Sequence, residues 1–132
     1  MEQKGKTQEM VLILHNIRSL HNVGSLFRSA ECAGIKKIFL SGYTPGPIDR
    51  FGRGVKEIAK TALGAEKTIV FEHEKNIGKL LKRLKEEGYF LCALEQDKSS
   101  IDYKKVKLKS KSALVLGNEV KGISKSILKK CD

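Results

Sequence analysis

Residues 16–41, NIRSLHNVGSLFRSAECAGIKKIFLS, constrain the fold more than any other stretch of the chain. They read as a turn, an amphipathic helix and a strand, with residues 10–15 (MVLILH) as an earlier strand. Asn22 is a candidate N-cap because its side-chain oxygen can accept from first-turn amides. Val23, Leu26, Phe27, Ala30 and Ala33 then recur at helical spacing. Gly34 stands where a left-handed residue would end the helix, and residues 36–40 run into the next strand. The unit is βαβ, and the polar residues it places at its turn carry the information about function.

At about 100° per residue, Gly24 and Arg28 fall one turn apart on a flank beside the apolar stripe. Gly24 has no side chain, so either a ligand or another backbone can approach the helix closely there. A helix N-terminus with an amide side chain, a bare glycine and an arginine suits phosphate or ribose. A capped surface helix with a solvated arginine accounts for the same residues equally well.

The next segment, residues 41–54 (SGYTPGPIDRFGRG), holds both prolines and four glycines, so it is a loop. Its Arg50 and Arg53 are candidate RNA contacts, or parts of an ordinary connection. A short helix is predicted over 55–63, a third strand over 68–71, and a helix over 76–87 that Gly88 closes. Residues 89–94 (YFLCAL) give a fourth strand. The lysine-rich stretch 95–112 reads as solvated basic surface, residues 113–116 as a fifth strand, and a last helix begins over 124–130. This alternation predicts an α/β domain, a parallel sheet with helices on both faces. Ligands gather at the C-terminal ends of such strands, here in the loops 15–22, 41–54, 95–97 and 117–124.

A chain of 132 residues predicts one domain, over 10–132, behind a flexible polar tail at 1–9. The formal net charge of +11 points to a polyanionic partner but says nothing about catalysis. No run of 18 apolar residues and no signal peptide is visible, so no membrane is implicated. Cys32, Cys92 and Cys131 are odd in number and widely spaced, which suits reduced, mostly buried thiols in a cytoplasmic protein. His15, His21 and His73 lack metal-ligand spacing, and no metal is expected.

The second informative string is residues 117–124, GNEVKGIS, between the fifth strand and the last helix. Gly117 lets the backbone turn at the strand end, and Gly122 permits a left-handed residue or close ligand contact. Glu119 could hold a ribose hydroxyl or orient an arginine. Alone the string is a strand-to-helix turn; paired with NxGxxxR after the first strand it is far more specific.

The pair resembles the SpoU (TrmH-like) branch of the SPOUT RNA methyltransferases. Asn22, Gly24 and Arg28 match the first family motif, Gly117, Asn118, Glu119 and Gly122 match the second, and residues 60–65 (KTALGA) resemble the small-residue segment between them. The resemblance spans residues 11 to about 126. It implies a trefoil-knotted α/β fold, a homodimer, and S-adenosyl-L-methionine as cofactor. The implied reaction is methyl transfer to a ribose 2′-hydroxyl of tRNA or rRNA. It places Arg28 and Asn22 near the reacting ribose with Glu119 in support, and Leu94, Glu95, Gln96, Gly117, Asn118 and Gly122 toward the cofactor. Arginine stays protonated, so Arg28 suits phosphate binding and stabilisation of a forming alkoxide rather than proton abstraction.

The chain departs from the family pattern in one respect. The third motif, a strand and turn with Ser-Leu-Asn followed by the knot-completing helix, does not occur among the 132 residues. The chain is then expected to be a piece of a longer methyltransferase, or alternatively a non-catalytic basic RNA-binding protein derived from the same fold. A Rossmann-like nucleotide enzyme is disfavoured, since no GxGxxG follows the first strand.

Overall fold

The computed structural model describes residues 9–35, 37–94 and 111–132. Strand β1 (Glu9–His15) lies at the centre of a five-stranded sheet of order β3-β2-β1-β5-β4. Its neighbours are β2 (Lys37–Ser41) and β5 (Lys111–Leu116), while β3 (Val70–Glu74) and β4 (Phe90–Leu94) form the two edges; every pairing is parallel. β1 is a continuous apolar run because both of its faces are covered. Leu12 and Leu14 point into one core with Val23, Phe27, Ala30, Ile58 and Ala62. Val11 and Ile13 point into a second with Leu80, Leu81, Leu84 and Ile127. Helices therefore cover both faces, as the alternation of elements predicts.

Helix α1 (Leu20–Cys32) follows β1, but its cap is Ser19 rather than Asn22. The Ser19 hydroxyl accepts from the Asn22 amide at 3.1 Å, so the helix starts a turn earlier than expected and the Asn22 side chain is released for other work. At the far end Gly34 is left-handed, with φ of 81°. Its amide bonds to Glu31 O and that of Ile35 to Ala30 O, a Schellman closure. Gly88 ends α4 (Ile77–Glu86) the same way, with Tyr89 N on Leu84 O. Asn76 caps the start of α4, its Oδ1 accepting from Lys79 N at 3.0 Å.

Gly24 is where another backbone, not a ligand, comes close. A Cβ there would collide with Thr61 Oγ1 and the Ile58 carbonyl of α2 (Lys56–Ala62). The Thr61 hydroxyl also donates to His21 O at 2.9 Å, fixing the crossing.

Other elements differ from the expectation. The third strand is Val70–Glu74, not 68–71, because a one-turn helix α3 (Ala65–Thr68) takes up Thr68, whose hydroxyl bonds to Glu31 Oε2 at 2.7 Å. The cysteines are not mostly buried: Cys32 is exposed, and Cys92 and Cys131 are half-buried, all three as free thiols. Burial pushes the Cys92 and Cys131 thiols up, so neither is activated as a nucleophile. β1 and β5 begin one and two residues earlier than expected, at Glu9 and Lys111. The last helix, α5 (Lys125–Leu128), is capped by Ser124 and ends sooner than expected.

Candidate functional site

All five strands point the same way, so the loops leaving β1, β2 and β5 meet at one rim of the sheet. Asn16 joins them. It adopts φ of 57°, a conformation that asparagine tolerates better than most residues. Its Oδ1 accepts from Tyr43 N at 3.1 Å in the loop after β2, and its carbonyl accepts from Asn118 Nδ2 at 2.9 Å in the loop after β5. Thr44 adds a second tie, donating to Leu14 O at 2.8 Å and accepting from Ile17 N at 3.1 Å.

Glu119 is anchored on the start of α1. Its carboxylate accepts from Arg18 N at 3.3 Å, Ser19 N at 3.1 Å and Asn22 Nδ2 at 3.2 Å. An anion is favoured there because the unpaired amides of a helix start carry partial positive charge. Burial by itself would raise the Glu119 carboxyl. The hydrogen bonds from its own amide, from Ser19 and Arg18, and from the Asn22 side chain outweigh that and hold it below the usual range. Glu119 is therefore a carboxylate at neutral pH and a poor proton acceptor. It orients Asn22 rather than an arginine.

Asn118 ties its own loop to the loops after β1 and β2. Besides Asn16, its Nδ2 donates to Tyr43 Oη at 2.8 Å, and its Oδ1 accepts from Val120 N and Lys121 N, each at 2.8 Å. Gly117 lies so close beneath this turn that a Cβ would stand 2.6 Å from both Gly122 O and Ile123 Cγ1. Gly122 is left-handed, with φ of 67°, and faces open space. The loop thus presents backbone on its open side.

These pieces enclose a depression of about 550 Å³ lined by Arg18, Ser19, Asn22, Tyr43, Asn118, Glu119, Val120 and Lys121. Three of the four loops expected to gather ligands contribute to it. Of the residues singled out from sequence, Asn22, Asn118 and Glu119 line it, and Gly117 and Gly122 belong to the loop that carries Asn118 and Glu119. Leu94 ends β4 beside Leu116, with its side chain in the core, so only its backbone reaches this rim. Glu95 and Gln96 lie outside the described residues.

Arg28 is elsewhere. It sits six residues beyond Asn22, about 9 Å along the helix axis, and its guanidinium pairs with Glu31 at 3.3 Å on the exposed face. Arg50 and Arg53 are exposed at the tip of the loop after β2. Sequence reasoning passed over Asn16, Arg18, Ser19, Tyr43 and Lys121. All five lie in segments that leave strand ends, and that position was the available signal.

A five-stranded parallel sheet with helices on both faces, and a polar depression at the strand C-termini as its candidate ligand site, define an α/β domain. The comparisons with known proteins are more specific, and the chain belongs to the SpoU rRNA Methylase family, whose profile matches residues 9–132. A Staphylococcus haemolyticus protein named as a TrmH family tRNA/rRNA methyltransferase is 30% identical over 122 residues, 92% of this chain and 46% of its own length. The A. aeolicus TrmH/SpoU tRNA modifying enzyme superposes with a TM-score of 0.73 at 21% identity, over 96% of this chain and 61% of that one. The AdoMet-bound rRNA methyltransferase of Sinorhizobium meliloti gives 0.76 at 22% identity, over 93% and 44%. The chain therefore has the fold of these methyltransferases and spans about half the length of the curated relatives it matches.

Proposed function

We propose that this chain forms the catalytic domain, or most of it, of an S-adenosyl-L-methionine-dependent RNA methyltransferase acting on a ribose 2′-hydroxyl of tRNA or rRNA. The observation that carries the reading is the bond from Asn22 to Glu119, which joins the two family motifs across 97 residues at the ligand-bearing rim of the sheet. Homodimerisation and a cytoplasmic setting belong to the same proposal.

The cofactor would supply an electrophilic methyl group on sulfur. The residues present fit one wall of its site. Gly122 leaves open space beside its backbone, Leu94 and Gly117 stand at adjacent strand ends, and Asn118 fixes the turn that runs from Gly117 to Gly122. Such a wall recognises a ligand by backbone hydrogen bonds and shape.

The residues around the depression would then serve the RNA. Asn22, held by Glu119, offers an amide to a ribose oxygen, with its orientation set before substrate arrives. Arg18 and Lys121 place positive charge on the rim, where a phosphate would lie. Arg28 is proposed as a further phosphate contact. Its pair with Glu31 is exposed, worth about 0–1 kcal/mol, and is readily exchanged for a phosphate oxygen.

Calorimetric titration of the 132-residue chain with S-adenosylmethionine tests the cofactor assignment. Micromolar binding, about −8 kcal/mol, is expected. Absence of heat would overturn the assignment of the pocket to these residues. Alkaline hydrolysis of methylated product RNA tests the acceptor, because a 2′-O-methylated nucleotide resists cleavage and leaves a dinucleotide. A methylated mononucleotide instead would place the methyl group on a base.

A further inference from the structure

Phe51 stands at the tip of the loop after β2 and is 66% exposed. A single exposed apolar residue is ordinary and means little. Its company is more informative. The guanidinium carbons of Arg50 and Arg53 each lie 5.0 Å from the ring centroid, so three flat groups, two of them cationic, share one exposed tip.

The tip is held by its own hydrogen bonds rather than by packing. Asp49 Oδ1 accepts from Phe51 N and Arg53 N, each at 2.9 Å, while Asp49 N donates to Arg53 O at 2.8 Å. Ile48 and Gly54 form an antiparallel bridge beneath it, and Val55 N bonds back to Pro47 O at 2.8 Å. Core burial does not explain the ring, yet the backbone presents it in one fixed place. Fixing a side chain before a partner arrives lowers the ordering cost of binding. The Arg53–Asp49 pair, at 3.2 Å, is exposed and weak enough to yield to a phosphate.

We propose that Phe51, flanked by Arg50 and Arg53, is a stacking platform for one unpaired nucleobase of the RNA, with the two guanidinium groups taking the adjoining phosphates. The proposal rests on the RNA methyltransferase reading and adds to it the kind of RNA, a strand with an unpaired base beside the target. Aromatic faces and guanidinium planes accept any splayed base, whereas paired bases hide their faces in the helix stack. Location agrees with this. Tyr43, at the start of the same loop, lines the depression, so the platform and the depression occupy one rim. A strand that reaches from the platform into the depression would meet the cationic side chains of Arg18 and Lys121, which line it. The overall charge of +11 favours a polyanion over an acidic peptide of few charges.

The chain contains no tryptophan, so Phe51→Trp introduces its sole indole at the platform. Titration with a single-stranded oligoribonucleotide of about ten nucleotides should quench and shift that fluorescence. A duplex of the same length should leave it unchanged. Phe51→Ala should weaken single-strand binding by about 5- to 100-fold without altering the salt slope of log K, since stacking releases no counterions. Replacing Arg50 and Arg53 together by Gln should instead flatten that slope by about 1.4. Thermal melting of each variant should match the parent, because none of the three side chains enters the core.

Unchanged indole emission at saturating RNA, or parental affinity in Phe51→Ala, would overturn the platform while leaving the methyltransferase reading intact. Failure of the unaltered chain to bind any RNA would overturn both. A concentration-dependent dimer lost in Phe51→Ala would assign the ring to a second copy of the chain, and would also overturn the proposal.

Discussion

At the start of α1, Ser19 satisfies one amide locally and leaves those of Arg18 and Ser19 itself to a carboxylate from the other end of the chain. Removing that charge should be felt in stability before it is felt in chemistry. Above the ordinary glutamate range near 4.5, Glu119 is ionised both folded and unfolded, and its bonds contribute fully. Because its folded value is lowered, that contribution is lost as pH falls through the folded value. Glu119→Gln should lower Tm at pH 7 by roughly 5 °C and flatten the acid limb below pH 4.5; melting curves from pH 3 to 8 check this. An unchanged acid limb would mean that other carboxylates dominate it. His15 gives a separate component. Burial lowers its pKa, so its share is complete above 6.5 and begins to be lost as pH falls below that value, before the Glu119 contribution starts to fall. Glu119 was legible as a site residue through its motif, but its target was not, because nothing local records a bond across 100 residues. Asn22 was mistaken for the cap for the same reason. Ser19 and Asn22 are both good capping residues, and the distant carboxylate decides which one caps.

Among elements, the crossing of α1 over α2 depends most on a single residue type. Gly24 lets the Ile58 carbonyl and Thr61 hydroxyl sit against the helix, and these are backbone and backbone-anchored groups that cannot swing aside. Gly24→Ala would gain about 1 kcal/mol of helix propensity and still destabilise by about 1–3 kcal/mol, through overpacking that pushes the helices apart. Urea denaturation checks it, and a neutral result would show that the helices can separate at little cost. Long amphipathic segments such as α1 and α4 were legible because their period agrees with the glycines, Gly34 and Gly88, that close them. The single turn α3 was not: four residues carry no period. The edge strand β3 was displaced for a related reason, since a half-exposed strand ending in Glu72, His73 and Glu74 lacks the apolar run that marks β1 and β5. Side-chain links from Glu72 to Lys37 at 3.0 Å and Arg83 at 2.9 Å take the place of burial there.

For the whole molecule, parallel strands with helices on both faces follow from the alternation of elements, but the order β3-β2-β1-β5-β4 does not. β1 pairs with its sequence neighbour β2 and also with β5, whose partner register runs from Glu9 with Lys111 to Leu14 with Leu116. Within this domain the first strand made is thus the centre of the finished sheet, and one of its edges waits for β5, about a hundred residues later. At roughly 5–20 residues per second of synthesis, that wait is on the order of 5–20 s. During it an apolar strand offers an open row of amides and carbonyls to any other nascent chain. The period of greatest hazard for this domain is therefore the interval before β5 is made. Pausing of translation ahead of β5 would lengthen that period, and chaperones that shield strand edges near the exit tunnel would shorten its consequences.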